Sequence, residues 1–556
     1  MFVRIKSSPN SPRKSVQICE SRREGAKVRQ IVIRHVGVAA DETGIKELAR
    51  LARYFIDKLK EDDDLPFFPK VDSSSNSVVE SSNEPSSLPQ PLIVQPILPV
   101  DLAMLREKRR LIEGFHDVFG KLFVELGFHR ILSKKPTETL LHVLMARIAK
   151  PASKRCTQEF LNADFGREID LERIYHMLDL LILQKEKIQQ QVYQATCSLC
   201  EGHVDVLFFD VTTLYFESVE QDELRNFGYS KDQKFHSTQV VLALATNADG
   251  LPVGYQLFPG NTADVSTLLK CLEEWKKNLT IGQIVIVADR AMMSESNLTA
   301  LEADSAGIKY VIAAKLRKSS KDIREKILKN EGQWIEFQEE QHCKQEFMLP
   351  SKRKLIVTYS KKRAKKDRED RQRIIEKIQK TIGNAKNPKK LITNRGYVKY
   401  LKANGKVDIK INEEKIAEEE AWDGFHGIIT NDLETKPEEL LARYRRLWVI
   451  EESFRIHKHN LAVRPIFHYK PRRIEAHILL CYMAFCLIRH AQYRLRVHQK
   501  EVSLDEIRRE LQRVQASTLE DEATGKRYRI PSSISSIAKI IYQVMGVKRE
   551  LIPSKM

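Results

Sequence analysis

The chain has 556 residues, enough for two to four domains and a large core without disulfides or structural metals. Its 93 Lys and Arg against 75 Asp and Glu give a formal net charge of +18 at pH 7, which favours a polyanionic partner such as nucleic acid over an acidic small molecule. Eight cysteines without dense regular spacing argue against a disulfide scaffold and for free thiols in a reducing compartment.

The stretch from Met1 to Lys6 lacks the apolar h-region of a signal peptide. The longest apolar run, Ile478 to Ile488, falls short of the ~18 residues a bilayer span requires. An intracellular protein without a membrane partner is expected.

Three extended stretches within residues 1–40, broken by Pro, Ser and Gly, predict a small β meander. The stripe Ile45, Leu48, Leu51, Phe55 and Leu59 predicts a helix that closes an N-terminal module at residue 61. Residues 62–99 fill with Ser, Pro and Asn and read as a flexible linker. Residues 100–200 show repeated helical periodicity, as in Leu140, Leu141, Leu144, Met145 and Ile148, and predict a helical domain for DNA-end binding or dimerisation, or a scaffold that braces the next domain. Near its end, Cys197-Ser-Leu-Cys200 is a C-x-x-C, but no second pair completes a zinc ribbon.

From Val204 the pattern changes. Val204–Phe216, Thr238–Ala245 and Leu251–Phe258 predict three consecutive strands, the last two joined by the hairpin chemistry of Asn247-Ala-Asp-Gly250. Helix (Val265–Leu279), strand (Ile284–Ala288), helix (Glu295–Ser305) and strand (Tyr310–Ala314) then alternate as right-handed β-α-β units do. Three antiparallel strands followed by this alternation predict an α/β fold with a ribonuclease-H-like mixed sheet. Residues 316–422 interrupt it, and within them residues 351–402 carry nineteen Lys and Arg against four acids, so a basic β-rich insertion lying along DNA is expected. The sheet resumes at Gly427–Thr430, followed by a long helix from about Pro437 to His459. A second helix, about Ile474 to Leu495, is apolar enough to lie under the sheet. The catalytic domain is thus assigned to residues 201–315 and 423–495, and residues 496–556 to a charged helical tail.

Asp210 follows Val206-Leu-Phe-Phe209, and Asp289 follows Ile284-Val-Ile-Val-Ala288, so two buried strands deliver a carboxylate each. A charge left unpaired beside an apolar core costs several kcal/mol, which calls for a cation, a hydrogen-bond network or water. Either aspartate alone reads as a cap. Two of them, on an early strand and on the first strand after the crossover helix, point to a metal site. On the late helix Tyr444, Glu451 and Lys458 recur every seven residues, so on an unbroken helix they share a face to within about 20° per step. The alternative for Glu451 is a surface pair with Arg455 at i+4. Glu452 would point about 100° away from that face.

Together these blocks resemble the DDE transposases of bacterial insertion sequences, in the insertion-sequence-four superfamily. Its helix signature is Y-x2-R-x3-E-x6-K. Tyr444, Glu451 and Lys458 match it, and Leu447 stands where the Arg is expected. Asp210-Val-Thr-Thr-Leu-Tyr-Phe216 is similar to the block of the first acid and Asp289-Arg-Ala-Met-Met293 to that of the second. Gly228-Tyr-Ser-Lys-Asp232, Phe258-Pro-Gly-Asn261, Arg464-Pro-Ile-Phe-His-Tyr469 and Ala476-His-Ile-Leu-Leu480 also look like this family.

The resemblance implies an enzyme that nicks the terminal inverted repeats of its mobile element and transfers the freed 3′ ends into target DNA, without a covalent protein intermediate. Asp210, Asp289 and Glu451 would be its metal ligands, an all-oxygen set suited to two Mg²⁺ or Mn²⁺ ions. Tyr444 and Lys458, with Arg455 and Arg290, would contact the phosphate backbone. Phe425 or His426 is a candidate for stacking on an unpaired base or, more simply, a core aromatic and a turn histidine. Double-stranded DNA, a homodimer in the active complex and the bacterial cytoplasm, at the nucleoid, are the partners and location it implies. A non-catalytic DNA-binding protein derived from a transposase is the alternative.

Overall fold

The computed structural model describes residues 1–8, 11–24, 27–61, 100–200, 202–217, 219–228, 236–278, 285–289, 294–303, 307–329, 335–337, 342–384, 401–404 and 408–556. The predicted linker at 62–99 and Arg290 lie outside them. The described chain forms two compact units, Met1–Gly202 with Ile456–Met556, and His203–Arg455.

The first unit opens with the predicted meander: β1 (Phe2–Ser8), β2 (Ser11–Glu24) and β3 (Lys27–Ala39), an antiparallel sheet in that order. Helix α1 (Glu42–Glu61) packs on it, burying Leu48, Leu51, Ala52 and Phe55 near Val16 and Ile18. Strand β4 (Leu105–Ile112) comes next, where the sequence predicted only helices. Helices α2 (Gly114–Glu125), α3 (Lys134–Ala149), α4 (Lys154–Phe165), α5 (Leu171–Leu181) and α6 (Lys185–Ser198) follow as expected. Their apolar stripes meet in a core that includes Phe115, Phe119, Leu140, Leu144, Ile174 and Leu178.

The second unit is built on one mixed sheet of nine strands. Strands β5 (Val206–Tyr215), β6 (Gln239–Thr246) and β7 (Pro252–Pro259) form the predicted antiparallel trio. The β6–β7 joint turns at Asn247, whose side-chain oxygen accepts from the amides of Asp249 (3.0 Å) and Leu251 (2.8 Å), while Gly250 supplies φ +74°. Helix α7 (Asp264–Asn278) then crosses over the sheet to β8 (Val285–Ala288), and α8 (Glu295–Glu302) leads to β9 (Lys309–Ala313). β8 runs parallel to both β5 and β9.

After α9 (Lys321–Leu328), strands β10 (Ile335–Phe337), β11 (His342–Met348) and β12 (Lys354–Ser360) extend the far edge of the same sheet. The densest basic run forms a 24-residue helix, α10 (Lys361–Asn384), where the sequence predicted a β-rich insertion. A small hairpin, β13 (Leu401–Asn404) with β14 (Asp408–Ile411), and α11 (Glu413–Glu420) precede β15 (Phe425–Thr430). β15 inserts antiparallel between β12 and β9, giving the order β10-β11-β12-β15-β9-β8-β5-β6-β7.

The long predicted helix is two helices, α12 (Pro437–Arg445) and α13 (Trp448–Arg455), followed by a π-helical turn at Ile456–Asn460. Between them the amides of Arg446, Leu447, Val449 and Ile450 bond to the carbonyls three residues back, a tighter turn than the α-helix makes. Neither proline nor glycine marks the break.

The chain then completes the first unit. Helix α14 (Pro471–Val497) packs on α2, α3, α5 and later α16, so its apolar surface is covered by helices, where the sequence predicted a place under the sheet. Its length and hydropathy would let it cross a bilayer, yet 94% of its most apolar stretch is buried within the protein. Its Arg494 is fully buried and ion-paired to Glu125 of α2. The predicted helical tail holds α15 (Leu504–Gln512), a hairpin of β16 (Gln515–Asp521) and β17 (Arg527–Pro531), α16 (Ser536–Met545) and a short β18 (Ser554–Lys555). β16 pairs with β4, some four hundred residues earlier in the chain, and closes a four-stranded sheet.

Candidate functional site

The site rests on the register of two strands. β5 and β8 lie side by side and parallel, with Phe209 on Ala288. Asp210 is the next residue of β5, and Asp289 is the first residue past the end of β8. Neighbouring strands are about 4.8 Å apart, so the register sets the two aspartates next to one another at the sheet's centre. Side chains alternate across a strand. The Phe209 ring meets Trp275 of α7 edge-on at 6.1 Å, which fixes α7's face and directs Asp210 to the opposite one. Asp210 is half-buried and takes a 2.7 Å hydrogen bond from the amide of Val211, while Asp289 is exposed.

Helix α13 packs on β5 and β6 through the buried Val449, Ile450, Ser453 and Phe454, and Glu451 is exposed on it. Arg455 pairs with Glu452 at 3.5 Å. The predicted competitor for Glu451 thus has another partner.

Asp289 and Glu451 each line a cleft, and Asp210 is in the lining of neither. One, of about 820 Å³, is lined by Asp289 together with Lys315, Arg317, Trp422 and Phe425. The other, of about 950 Å³, is lined by Glu451, Tyr444, Leu447 and Arg445, and by Lys362, Arg363, Lys365 and Lys366 of α10. Arg363, Asp367, Asp370 and His426 line both. Tyr444 and Glu451 therefore reach one cavity although the helix between them is broken, and the heptad that suggested their common face is not what joins them. Lys458 falls in the π-helical turn of the other unit.

His426 packs its ring on Tyr444, with centroids 5.2 Å apart. Burial, then the charges of Arg363 and Arg445, push its imidazole down to about 4, so it is neutral at physiological pH. Phe425 packs against Tyr359 and Trp422 beside the small core of Ile323, Ile327, Leu355 and Val357, the core role foreseen for it.

Among the described residues no group of three or more His, Cys, Asp or Glu is disposed to hold a metal ion. The aspartate pair offers carboxylate oxygens of the kind a hard divalent cation takes. Glu451 is not grouped with that pair here.

Sequence reasoning missed the cations of α10 as part of this cleft. The density of basic charge was visible, but its folding into a helix over the late acid was not.

The fold and site define a mixed α/β protein with one acid within a central strand, a second just past the end of its parallel neighbour, and a third on a helix packed on that sheet. The profile of the transposase DDE domain family matches residues 202–487, just over half of the chain, and the chain belongs to that family. No curated protein matches it. Among solved structures, the piggyBac transposase synaptic complex with hairpin DNA aligns over 72% of this chain and 77% of that chain, at 9% identity and a TM-score of 0.37.

Proposed function

We propose that the chain is a transposase of the insertion-sequence-four kind, which cleaves the ends of a bacterial mobile element and joins them to target DNA in the cytoplasm, at the nucleoid. The observation that carries this reading is the register of β5 on β8, which brings Asp210 and Asp289 to adjacent strands of the mixed sheet.

Asp210 and Asp289 would hold the divalent ions, Mg²⁺ or Mn²⁺, with Glu451 as the third ligand. Two such ions supply activation of an attacking hydroxyl and stabilisation of the leaving oxygen. The protein's own groups do the positioning. Tyr444 and the α10 lysines hold the phosphate backbone in the cleft beside Glu451, and neutral His426 keeps Tyr444 in place by ring packing. Lys458 and Arg290 are further backbone contacts, Arg455 a weaker one because it pairs with Glu452. A homodimer on double-stranded DNA brings the two ends together.

The ungrouped state of the three acids favours a second reading, a DNA-binding derivative without cleavage activity. One assay separates them. The full chain, given Mg²⁺ and duplexes carrying its element ends, should nick them, and Asp210→Asn, Asp289→Asn and Glu451→Gln should each abolish nicking while binding persists. Full cleavage by any variant sinks the assignment, and binding without nicking by the wild type favours the silent derivative.

A further inference from the structure

β2 pairs with β1 only between Ser11 and Cys19, whereas its pairing with β3 continues to Glu24 opposite Lys27. Glu20–Glu24 and Lys27–Ile31 therefore leave the three-stranded sheet as a two-stranded ribbon, about 17 Å long at ~3.4 Å per residue. Ser21, Arg22, Arg23, Val28, Arg29 and Gln30 are all exposed on it. A bare two-stranded ribbon is marginal in water, so one held out with both faces uncovered points to a partner.

Charge identifies that partner. Residues 1–40 hold nine Lys and Arg against two Glu. In the ribbon the register sets Arg22 directly across from Arg29, and like charges so placed destabilise a strand pair. Glu20, 2.8 Å from Arg22, offsets part of this. A phosphate beside the pair would add a further counter-charge. Size agrees: the DNA major groove, about 12 Å wide, admits a two-stranded β-ribbon.

We propose that the β2–β3 ribbon enters the major groove of duplex DNA, with Arg22, Arg23 and Arg29 on the flanking phosphates. This rests on the reading of the chain as an enzyme that acts on DNA, and adds a second DNA-holding surface in the other unit. Contacts to phosphate fix position and register on the duplex.

The test compares the full-length wild type with Arg22→Ala/Arg29→Ala and Arg22→Lys/Arg29→Lys, titrating a fluorescent duplex at several salt concentrations. Each lost phosphate contact lowers the slope of log K against log salt by about 0.9, so the alanine pair should lower it by about 1.8 and weaken binding at least tenfold at fixed salt. The lysine pair should keep the wild-type slope. The thermal midpoint of the lysine pair should match the wild type and that of the alanine pair should be equal or higher, since it relieves the cross-strand repulsion; if the alanine pair melts early, reduced binding by the ribbon charge-reversal Arg23→Glu at an unchanged midpoint carries the test. A wild-type slope and affinity in the alanine pair overturns the proposal. So does light scattering that shows the pair splitting a dimer while affinity per protomer is unchanged, which would make the ribbon a self-pairing edge. A wild type that binds no duplex at all sinks the broader reading itself.

Discussion

The two terminal guanidinium nitrogens of Arg371 each stand 2.6 Å from a different carboxylate oxygen of Asp423, and one also reaches Glu420 at 3.1 Å. This fork ties the middle of α10 to the segment that feeds β15. The Asp423 hydrogen bonds hold Arg371 charged although its side chain is 7% exposed.

Removing one partner of such a pair strands the other. Arg371→Ala should cost about 3–5 kcal/mol, read as a lower unfolding midpoint in denaturant, with faster hydrogen exchange across α10. A loss under about 1 kcal/mol would mean that α10 is held elsewhere.

The cationic wall should show itself in ionic strength. Neutralising Lys362, Lys365 and Lys366 together should flatten the salt dependence of DNA binding by up to about 2.7 in the log–log slope and raise KM for cleavage more than it lowers kcat. An unchanged slope would remove α10 from the DNA path.

His426 gives a pH dependence with a defined sign. Its folded value, about 4, lies below the ordinary 6.5. As pH falls below about 6.5 the unfolded chain takes up a proton that the folded chain refuses until about 4, so the stabilising effect is full above that window and is lost progressively through it. Stability measured from pH 7 to 4.5 should fall less steeply in His426→Gln than in the wild type. Parallel curves would show that the imidazole is not held neutral.

The first unit offers a contrast between breaking and replacing a buried pair. Glu125→Leu leaves Arg494 buried without its acid and should cost about 3–5 kcal/mol, whereas Glu125→Leu with Arg494→Met should recover most of that in a double-mutant cycle on thermal unfolding. Additive losses would show that the two side chains act independently.

What the residues revealed in advance follows the range of the forces involved. β5, β6 and β8 were legible because a central strand buried on both faces is apolar throughout, and the Asn247–Gly250 turn because its bonds are local. Asp210 and Asp289 were legible for the same reason: each is the first charge after such a run. Glu451 was found through an unbroken helix that does not exist, since the turn at Arg446 and Leu447 contains only good helix formers and carries no breaker. β4 is a charged strand whose partner, β16, lies some four hundred residues further along the chain, and no local pattern encodes that pairing. Over residues 478–488, α14 is apolar all round, which declares burial without saying in what.

That division of the chain into an interrupted unit and an inserted one also dictates an order of events during synthesis. Helices α2, α3 and α5 leave the ribosome with the surface that α14 will cover still bare, and some 250 residues of a second unit must be made before that cover arrives. The inserted sheet has all of its strands by Thr430 and can close first. The earliest helices thus spend the longest time unfinished, and a stalled or truncated product is expected to be a substrate for chaperones and proteases at its N-terminal end.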